Sequence, residues 1–304
     1  MEAVYYHGVR NFEIIQTPIP QITDDQVLIK NTLLSPVESA EQGTQSHLRR
    51  RISHKICLSS PDTSSSVLSL SIAGGFAGYV AVSPKKVFKI HKLSDEEATL
   101  VEPAACAVHG ADKLALGVGK DVLILGAGPT GLILAQLLKL NGAAKVVIAA
   151  NKGIKTRIAR DLGAADEYIE IDRDDPEPAW KRLKEEYPYG FDAVVEATGS
   201  EKVANDAINY VRRGGTLMVY GVYENTHHGL LAPRPPSKIF GDEIRIIGSF
   251  AQTNCFPRAI QYLETGKVKV KGMITDKYAI KDYQKALDKL KSREALKVVV
   301  KPEL

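Results

Sequence analysis

The 304-residue chain is 44% apolar and 25% charged, so it can bury large hydrophobic cores and is too long for one typical domain. Its 40 Lys and Arg against 36 Asp and Glu leave a formal net charge of +4, which gives no reason to expect a nucleic-acid partner. Three widely separated cysteines exclude a disulfide framework and an all-cysteine four-ligand zinc site, and they fit a reducing compartment.

The sequence carries no pattern for export or for crossing a membrane. Its first ten residues have neither the basic flank nor the apolar stretch of a secretory signal. The longest uncharged run, residues 122–138, approaches membrane-spanning length, but glycines and a proline interrupt it where a strand would turn into a helix. We therefore expect a cytoplasmic location and no membrane association.

The two ends of the chain predict a small, irregular β-rich domain. Residues 27–30 and 79–82 have the composition of strands, with Pro and Gly between the predicted segments. At the other end, residues 282–291 predict a helix and residues 296–300 a strand. We expect this C-terminal segment to close on the domain that the N-terminus begins.

Residues 31–72 fit neither a strand nor a helix pattern. The segment contains eleven serines and an Arg-Arg-Arg cluster, and we expect it to be atypical and disordered or poorly packed. Its basic stretch, residues 47–55, has two interpretations. It is either a solvated loop, the commoner outcome, or a nuclear targeting signal or polyanion-binding patch.

From residue 120 onward, β-branched runs alternate with helical patterns, which is typical of a parallel sheet covered by helices on both faces. The predicted strands are residues 122–125, 145–149, 167–171, 192–196, 216–220 and 243–247. The predicted helices are residues 130–140, 155–162, 179–186, 202–211 and 257–263. This order predicts an α/β fold with a doubly wound dinucleotide-binding domain at 106–272 and the β-rich domain at 1–105 and 273–304.

Gly126, Gly128 and Gly131 form the motif GAGPTG between the predicted strand VLIL and the helix TGLILAQLLKL. A dinucleotide pyrophosphate needs a tight turn, a close backbone approach and a helix N-terminus whose free N–H groups face the anion. Each requirement favours glycine, because a Cβ atom would block the ligand or the helix packing. We predict that these glycines, with Pro129 and Thr130, bind the pyrophosphate. The alternative is a turn that only links strand to helix.

The residue after the second strand of the sheet indicates which coenzyme is bound. NAD-binding proteins place an acid there to accept hydrogen bonds from the adenosine ribose, but this chain has Ala150. Asn151 and the cations Lys152, Lys155 and Arg157 follow, and these cations can pair with a 2′-phosphate. This predicts NADP in preference to NAD. The alternative is that the cations are only exposed helix residues.

Two further segments lie at the carboxyl edge of the predicted sheet, where ligands of such folds bind. Thr198 and Gly199 follow the fourth strand, in the sequence EATG, and Gly221 follows the fifth. We expect these residues to line the nicotinamide half of the site. Thr198 has an alternative role, which is compatible with the first, as the N-cap of the following helix.

Together these motifs resemble the zinc-containing medium-chain alcohol and polyol dehydrogenases. The segments that carry the resemblance are VEPAACAVHGADKL, GAGPTGLILAQLLKLNGAAKVVIAANKGIKTRIARDLGAADEYI, FDAVVEATGS and GGTLMVYGV. The resemblance implies a GroES-like catalytic domain, truncated here, and a Rossmann domain. It also implies NADP-linked hydride transfer with a small polyol or carbonyl substrate, and a homo-oligomer formed through a Rossmann edge strand, here residues 243–248.

The resemblance also implies a catalytic zinc, for which this chain lacks most of the ligands. Family members take ligands from a Cys after the second strand, from a His-Glu pair and often from a glutamate that matches Glu102. Here Val37 stands near the cysteine position, and neither a His-Glu dipeptide nor the four-cysteine lobe of the structural zinc is present. An alternative is that His47, His54 and Cys57 act as substitute ligands, but their spacing matches no family pattern. We therefore expect no metal, with Glu102 as a remnant of the zinc site.

A zinc Lewis acid stabilises a developing alkoxide by several kcal/mol, so its absence lowers the rate by orders of magnitude. The sequence therefore predicts a polyol dehydrogenase whose activity is impaired. Two alternatives stay open. One is a catalytically dead nucleotide-binding relic or a product of altered splicing, and the other is a zinc-free quinone or enone reductase.

Overall fold

The computed structural model describes residues 1–8, 11–35, 56–58, 76–223, 236–251 and 254–302. Their strands, in chain order, are β1 (Glu2–Gly8), β2 (Asn11–Gln16), β3 (Val27–Lys30), β4 (Ile56–Leu58), β5 (Tyr79–Val82), β6 (Val87–Lys89), β7 (Asp121–Leu125), β8 (Lys145–Asn151), β9 (Glu167–Ile171), β10 (Phe191–Glu196), β11 (Val211–Val219), β12 (Arg245–Gly248), β13 (Asp276–Ala279) and β14 (Val298–Lys301). The helices are α1 (Asp95–Ala98), α2 (Val101–Leu114), α3 (Pro129–Leu140), α4 (Ile154–Leu162), α5 (Glu177–Glu186), α6 (Glu201–Ala207), α7 (Pro236–Gly241), α8 (Phe256–Glu264) and α9 (Tyr283–Lys291).

The chain divides into two compact units. The first comprises Met1–Glu102 and Phe256–Leu304, and the second comprises Pro103–Cys255. The sequence analysis places these divisions at residues 105 and 272 instead. The helix α8, assigned there to the dinucleotide-binding domain, therefore falls in the first unit.

The second unit is built on a six-stranded sheet in which all neighbouring strands are parallel. The strand order is β12-β11-β10-β7-β8-β9, so the chain builds outward from β7 in one direction and then returns to build outward in the other. This is the doubly wound order of dinucleotide-binding folds, whose ligands lie at the carboxyl edge where the direction reverses, here between β7 and β10. The predicted α/β fold class is confirmed.

The central strand β7 is buried on both faces, which explains its uninterrupted apolar sequence. Leu123 and Leu125 pack into a cluster with residues of β8, β9, β10 and α5. Val122 and Ile124, which point to the opposite face, are also completely buried. A parallel strand covered by helices on both faces needs apolar side chains at every position, so VLIL predicts such a strand.

Arg212 ties three segments together at the amino edge of the same sheet. Its guanidinium donates to the carboxylate of Asp192 at 2.8 Å, to the carboxylate of Asp121 at 3.1 Å and to the carbonyl oxygen of Gly190 at 2.8 Å. The predicted helix over 202–211 agrees with the structure to within one residue at each end, because α6 is followed by a 3-10 helix at Ile208–Tyr210 and β11 begins at Val211. The contacts of Arg212 extend β11 to five residues before its predicted start.

The first unit is β-rich, and its described residues form four two-stranded pairs, β1-β2, β3-β5, β4-β6 and β13-β14. The last pair is parallel and the other three are antiparallel. Its core centres on Tyr283 of α9, whose ring meets Phe12 and Phe76 edge-on at 5.1 and 5.2 Å between ring centroids. The C-terminal segment thus packs on the N-terminal strands, as the sequence predicts.

The expectation that residues 31–72 are without packed structure is wrong at both places that the structure describes. Asn31 is buried and donates from its side chain to the carbonyl oxygen of Ala77 at 2.6 Å. Leu34 and Val300 exchange two backbone hydrogen bonds, at 2.8 and 2.6 Å. Ile56–Leu58 forms β4, paired with β6. Long-range pairing orders these residues although they have no periodic pattern of their own. The remainder of the segment, including the basic stretch 47–55, lies outside the described residues.

No helix in the described part of the chain combines the length and the apolar character that spanning a bilayer requires.

Candidate functional site

The turn between β7 and α3 is shaped by Gly126 and Gly131. Gly126 has a φ of +114°, and a Cβ atom there would lie 3.0 Å from both the carbonyl oxygen of Ala197 and the side-chain methyl of Thr198. A Cβ atom on Gly131 would lie 3.1 Å from the carbonyl oxygen of Gly126. Both glycines are therefore favoured by the close packing of the turn itself, and Gly126 also by its positive φ.

Gly128 is different, because no described residue packs so closely on it that glycine is required. Its φ is −72°, which any residue adopts, and a Cβ atom built there has no neighbour within 4 Å. Gly128 is the N-cap of α3, and no side chain caps this helix. The first-turn N–H groups of a helix have no intrahelical partner and attract anions. The open space at Gly128 therefore fits the pyrophosphate of a dinucleotide, whose backbone contact a Cβ atom would obstruct.

The loop after β8 and the start of α4 carry cations that form no ion pair with a carboxylate of the described residues. Asn151, Lys152 and Arg157 are exposed, and Lys155 is half-buried in the first turn of α4. Among the described residues, no Asp or Glu forms an ion pair with any of these three cations, whereas Arg160, one turn further along α4, pairs with Glu170 at 3.5 Å. The unpaired cations fit a 2′-phosphate on the adenosine ribose.

Glu170 is the residue that sequence reasoning missed in this half of the site. It is the register partner of Ala150 in the parallel pairing of β8 with β9, so a carboxylate does lie near the position where an NAD enzyme places its acid. However, Glu170 accepts a hydrogen bond from the hydroxyl of Thr156 at 2.6 Å and pairs with Arg160. Since α4 already holds this carboxylate, it does not replace the missing acid. Only the pairing of β8 with β9 shows that Glu170 lies beside Ala150, because the two residues are far apart in sequence.

Glu196 organises the other half of the carboxyl edge. It is fully buried, and its carboxylate accepts hydrogen bonds from the N–H of Thr198 at 2.7 Å, from the N–H of Gly199 at 3.4 Å and from the hydroxyls of Thr198 and Tyr223. The EATG segment is predicted to lie in the site, but its glutamate has no predicted role. The hydrogen bonds of Glu196 with Thr198 and Gly199 are local in sequence, whereas its hydrogen bond with Tyr223 depends on the pairing of β10 with β11.

The segments after β10 and β11 pack backbone against backbone. Gly199 has a φ of +72°, and a Cβ atom there would lie 2.5 Å from the carbonyl oxygen of Val222. A Cβ atom on Gly221 would overlap the N atom of Gly199 and lie 2.5 Å from a carboxylate oxygen of Glu196. Thr198, Gly199 and Gly221, all predicted to lie in the site, are thus brought together at the carboxyl edge.

The suggested N-cap role of Thr198 is wrong, because Ser200 is the N-cap of α6. The hydroxyl of Thr198 instead accepts from the N–H of Ser200 at 3.0 Å and donates to Glu196. Thr198 therefore orients the loop that precedes the helix.

The residues described here do not form a zinc site. Glu102 is 2% exposed in the first turn of α2, and Cys106 and Cys255 are buried, as expected for small apolar side chains. Within the described ranges, no three His, Cys, Asp or Glu side chains cluster in a way that could hold a metal ion. Val37, His47 and His54 lie outside these ranges. The donor set of the described residues therefore does not fit a catalytic zinc.

The strand order and the glycine turn at the first βα junction define a Rossmann-type α/β protein. Residues 129–265 match the family model of zinc-binding dehydrogenases. The chain is 46% identical over 347 aligned residues to D-arabinitol dehydrogenase 1 of Uromyces fabae, covering 99% of this chain and 97% of the relative. It is 31% identical over 234 residues to sorbitol dehydrogenase of Bacillus subtilis, covering 76% and 64% of the two chains. The chain belongs to the zinc-binding dehydrogenase family, as its resemblance predicts.

Solved structures show the same fold at lower identity. A protein described as a zinc-binding dehydrogenase from Sinorhizobium meliloti 1021, bound to NADP, is 23% identical with a TM-score of 0.82, over 99% of both chains. The 2R,3R-butanediol dehydrogenase of Bacillus subtilis is 20% identical with a TM-score of 0.81, again over 99% of both chains.

Proposed function

We propose that this chain binds NADP and descends from polyol dehydrogenases that transfer hydride between a secondary alcohol and the nicotinamide, with its own activity impaired by the loss of zinc ligands. The observation that carries the coenzyme assignment is the open N-cap at Gly128, since packing against the described residues does not require a glycine there. The homology to D-arabinitol dehydrogenase 1 of Uromyces fabae supports a small polyol or its carbonyl product as substrate.

Each part of NADP has a corresponding group of residues in this proposal. The pyrophosphate is bound by Gly126, Gly128, Pro129, Thr130 and Gly131, the adenosine 2′-phosphate by Asn151, Lys152, Lys155 and Arg157, and the nicotinamide half by Thr198, Gly199 and Gly221. When bound, the coenzyme supplies the ring carbon that accepts or returns hydride. The chain's own contribution is to hold this ring at the carboxyl edge of the sheet.

Two features support NADP over NAD. Ala150 provides no carboxylate to repel a 2′-phosphate, and Glu170, its register partner, is already bound by Thr156 and Arg160. In addition, the structural relative from Sinorhizobium meliloti 1021 binds NADP. NAD binding at lower affinity is compatible with the same site.

The proposed impairment follows from the chemistry that zinc supplies in this family. A metal Lewis acid lowers the pKa of a bound oxygen acid and stabilises developing negative charge, which contributes several kcal/mol. In the part of the chain that the structure describes, Glu102 has no cluster of further metal ligands around it. We therefore route no catalytic step through zinc and regard Glu102 as a remnant of the ancestral site.

The decisive experiment compares this protein with the Uromyces fabae enzyme, expressed in the same zinc-supplemented medium. We expect far less than one zinc per chain and turnover of D-arabinitol with NADP at least about a hundredfold below that of the relative. Stoichiometric zinc together with chelator-sensitive turnover of comparable rate would refute the impairment.

The missing donor set also favours a second candidate, zinc-free reduction of a quinone or enone. NADPH consumption with quinones that is unaffected by a chelator would identify this reaction. Coenzyme binding without turnover of either substrate class would identify a nucleotide-binding relic or a product of altered splicing instead.

The edge strand β12 supports a homo-oligomer. Within the described sheet it pairs only with β11, so its other edge is free to pair. Ile246 on this strand is 36% exposed, and Phe250 just after it is 54% exposed. A second copy of this chain fits such an apolar edge. The proposal further includes a cytoplasmic location and no nucleic-acid partner.

A further inference from the structure

The carboxylate of Glu196 is buried among neutral partners. Two backbone N–H groups, of Thr198 and Gly199, and two hydroxyls, of Thr198 and Tyr223, point at its oxygens. Within the described residues, no Lys, Arg or His side chain forms an ion pair with it. Burying a carboxylate without a counter-ion costs desolvation free energy, so we expect the residue to have a functional role.

The groups around Glu196 donate hydrogen bonds to its carboxylate. Backbone N–H groups only donate, and both oxygens of the carboxylate receive one. The Thr198 hydroxyl accepts from the N–H of Ser200, which leaves its own proton directed at Glu196. Such a set of donors stabilises a negative charge but does not cancel it.

Glu196 lies at the point where the sheet reverses its winding. It is the register partner of Leu125, the residue immediately before the glycine turn. The methyl group of Thr198 lies where a Cβ atom on Gly126 would touch it at 3.0 Å. In this strand order, the strands β10 and β11 belong to the half of the sheet that receives the second nucleotide of the coenzyme. In our proposed function this is the nicotinamide half.

We propose that Glu196 sets the redox preference of the coenzyme site by favouring the oxidised coenzyme. The oxidised nicotinamide ring carries a positive charge, whereas the reduced ring is neutral. A fixed negative charge beside the ring therefore stabilises NADP⁺ relative to NADPH. This inference rests on the proposed function, because it requires NADP to bind at this edge.

The size of the effect follows from Coulomb's law inside a protein. At an effective dielectric constant near 20, a single charge about 12 Å from the ring changes the ratio of the two affinities by about tenfold, and a closer charge changes it by more. The backbone and hydroxyl donors screen part of this charge but, being dipoles, leave a net field.

The test measures dissociation constants of NADP⁺ and NADPH by calorimetry on the full chain. The variant Glu196→Gln removes the charge with little change in size. We expect its ratio of NADP⁺ affinity to NADPH affinity to fall about tenfold. A purely structural role would weaken both coenzymes equally, and an equal loss or an unchanged ratio would overturn the proposal. The control Glu201→Gln, in the first turn of α6, should leave the ratio within about twofold.

A second variant covers the case in which Glu196→Gln does not fold. Tyr223→Phe deletes one hydroxyl donor and keeps the carboxylate, so the uncancelled charge grows and the ratio should shift further toward NADP⁺. An unchanged ratio, or a shift toward NADPH, would contradict the proposal. If the wild-type chain binds neither coenzyme, the proposed function itself fails. If it binds both and the ratios do not move, only this inference fails.

Discussion

The guanidinium of Arg212 and the carboxylate of Asp192 lie 2.8 Å apart at the amino edge of the parallel sheet, opposite the edge that carries the glycine turn. Burial acts to raise the pKa of Asp192, but the N–H of Asp121, then Lys120 and Arg212, lower it by more. The net pKa lies below its ordinary value. This pair therefore stabilises the sheet and lies at the edge opposite the proposed coenzyme site.

We expect Asp192→Asn to lower the free energy of unfolding by about 1–3 kcal/mol at pH 7. Because the pKa of Asp192 is lowered in the folded state, its stabilising contribution is present above the unfolded pKa of about 4 and disappears as the pH falls through the folded value. The difference between wild type and variant should thus shrink below about pH 4. Urea denaturation across this range measures it. The exposed control Asp174→Asn should change stability by less than about 0.5 kcal/mol, and an equally large or pH-independent effect of Asp192→Asn would count against this interpretation.

The cations after β8 give a prediction on coenzyme choice. Alanine at Lys155 or Arg157 should weaken NADPH binding about fivefold to tenfold, since each substitution removes one charge-assisted contact to the 2′-phosphate. NADH binding should change by less than about twofold, because NADH lacks this phosphate. Fluorescence titration with both reduced coenzymes measures the two effects.

Lys181→Ala serves as the control for those variants. This lysine lies on α5, where its side chain is 76% exposed and its ammonium pairs with Glu185 at 3.7 Å. We expect it to change NADPH and NADH binding alike. A wild-type chain that binds NADH more tightly than NADPH would remove the argument for NADP.

The free edge of β12 predicts the oligomeric state. Ile246→Asp introduces a charge on the exposed edge strand and should convert a dimer to a monomer in light scattering after size-exclusion chromatography. Tyr189→Asp changes an 87% exposed residue elsewhere on the second unit and should leave the dimer intact. A monomeric wild-type chain, or a dimer that survives Ile246→Asp, would exclude this interface.

The regular part of the fold was predictable because its signals are local. The strand Glu167–Ile171 agrees with its prediction to the residue, as do Val27–Lys30 and Tyr79–Val82, since short β-branched runs end at turn residues. The predicted start of β11, at residue 216, is wrong, because the strand begins at Val211. Arg212 draws residues into the sheet through partners that are distant in sequence.

The same distinction holds at the candidate site. The glycine turn and the cations after β8 are sequence motifs and could be named in advance. The hydrogen bond between Thr156 and Glu170 and the hydrogen bond between Tyr223 and Glu196 depend on which strands become neighbours. No residue spacing along the chain predicts these two hydrogen bonds. Sequence also could not separate Gly128 from the two glycines that packing favours, because all three belong to one motif.

Gly128→Ala tests most directly whether the turn holds a dinucleotide. A Cβ atom there meets nothing within 4 Å and the backbone φ of −72° suits alanine, so the unliganded variant should melt within about 2 °C of wild type. We expect wild type to gain several degrees of melting temperature with saturating NADPH and the variant to gain almost none. Equal stabilisation of both proteins by NADPH, or no stabilisation of wild type, would contradict the account.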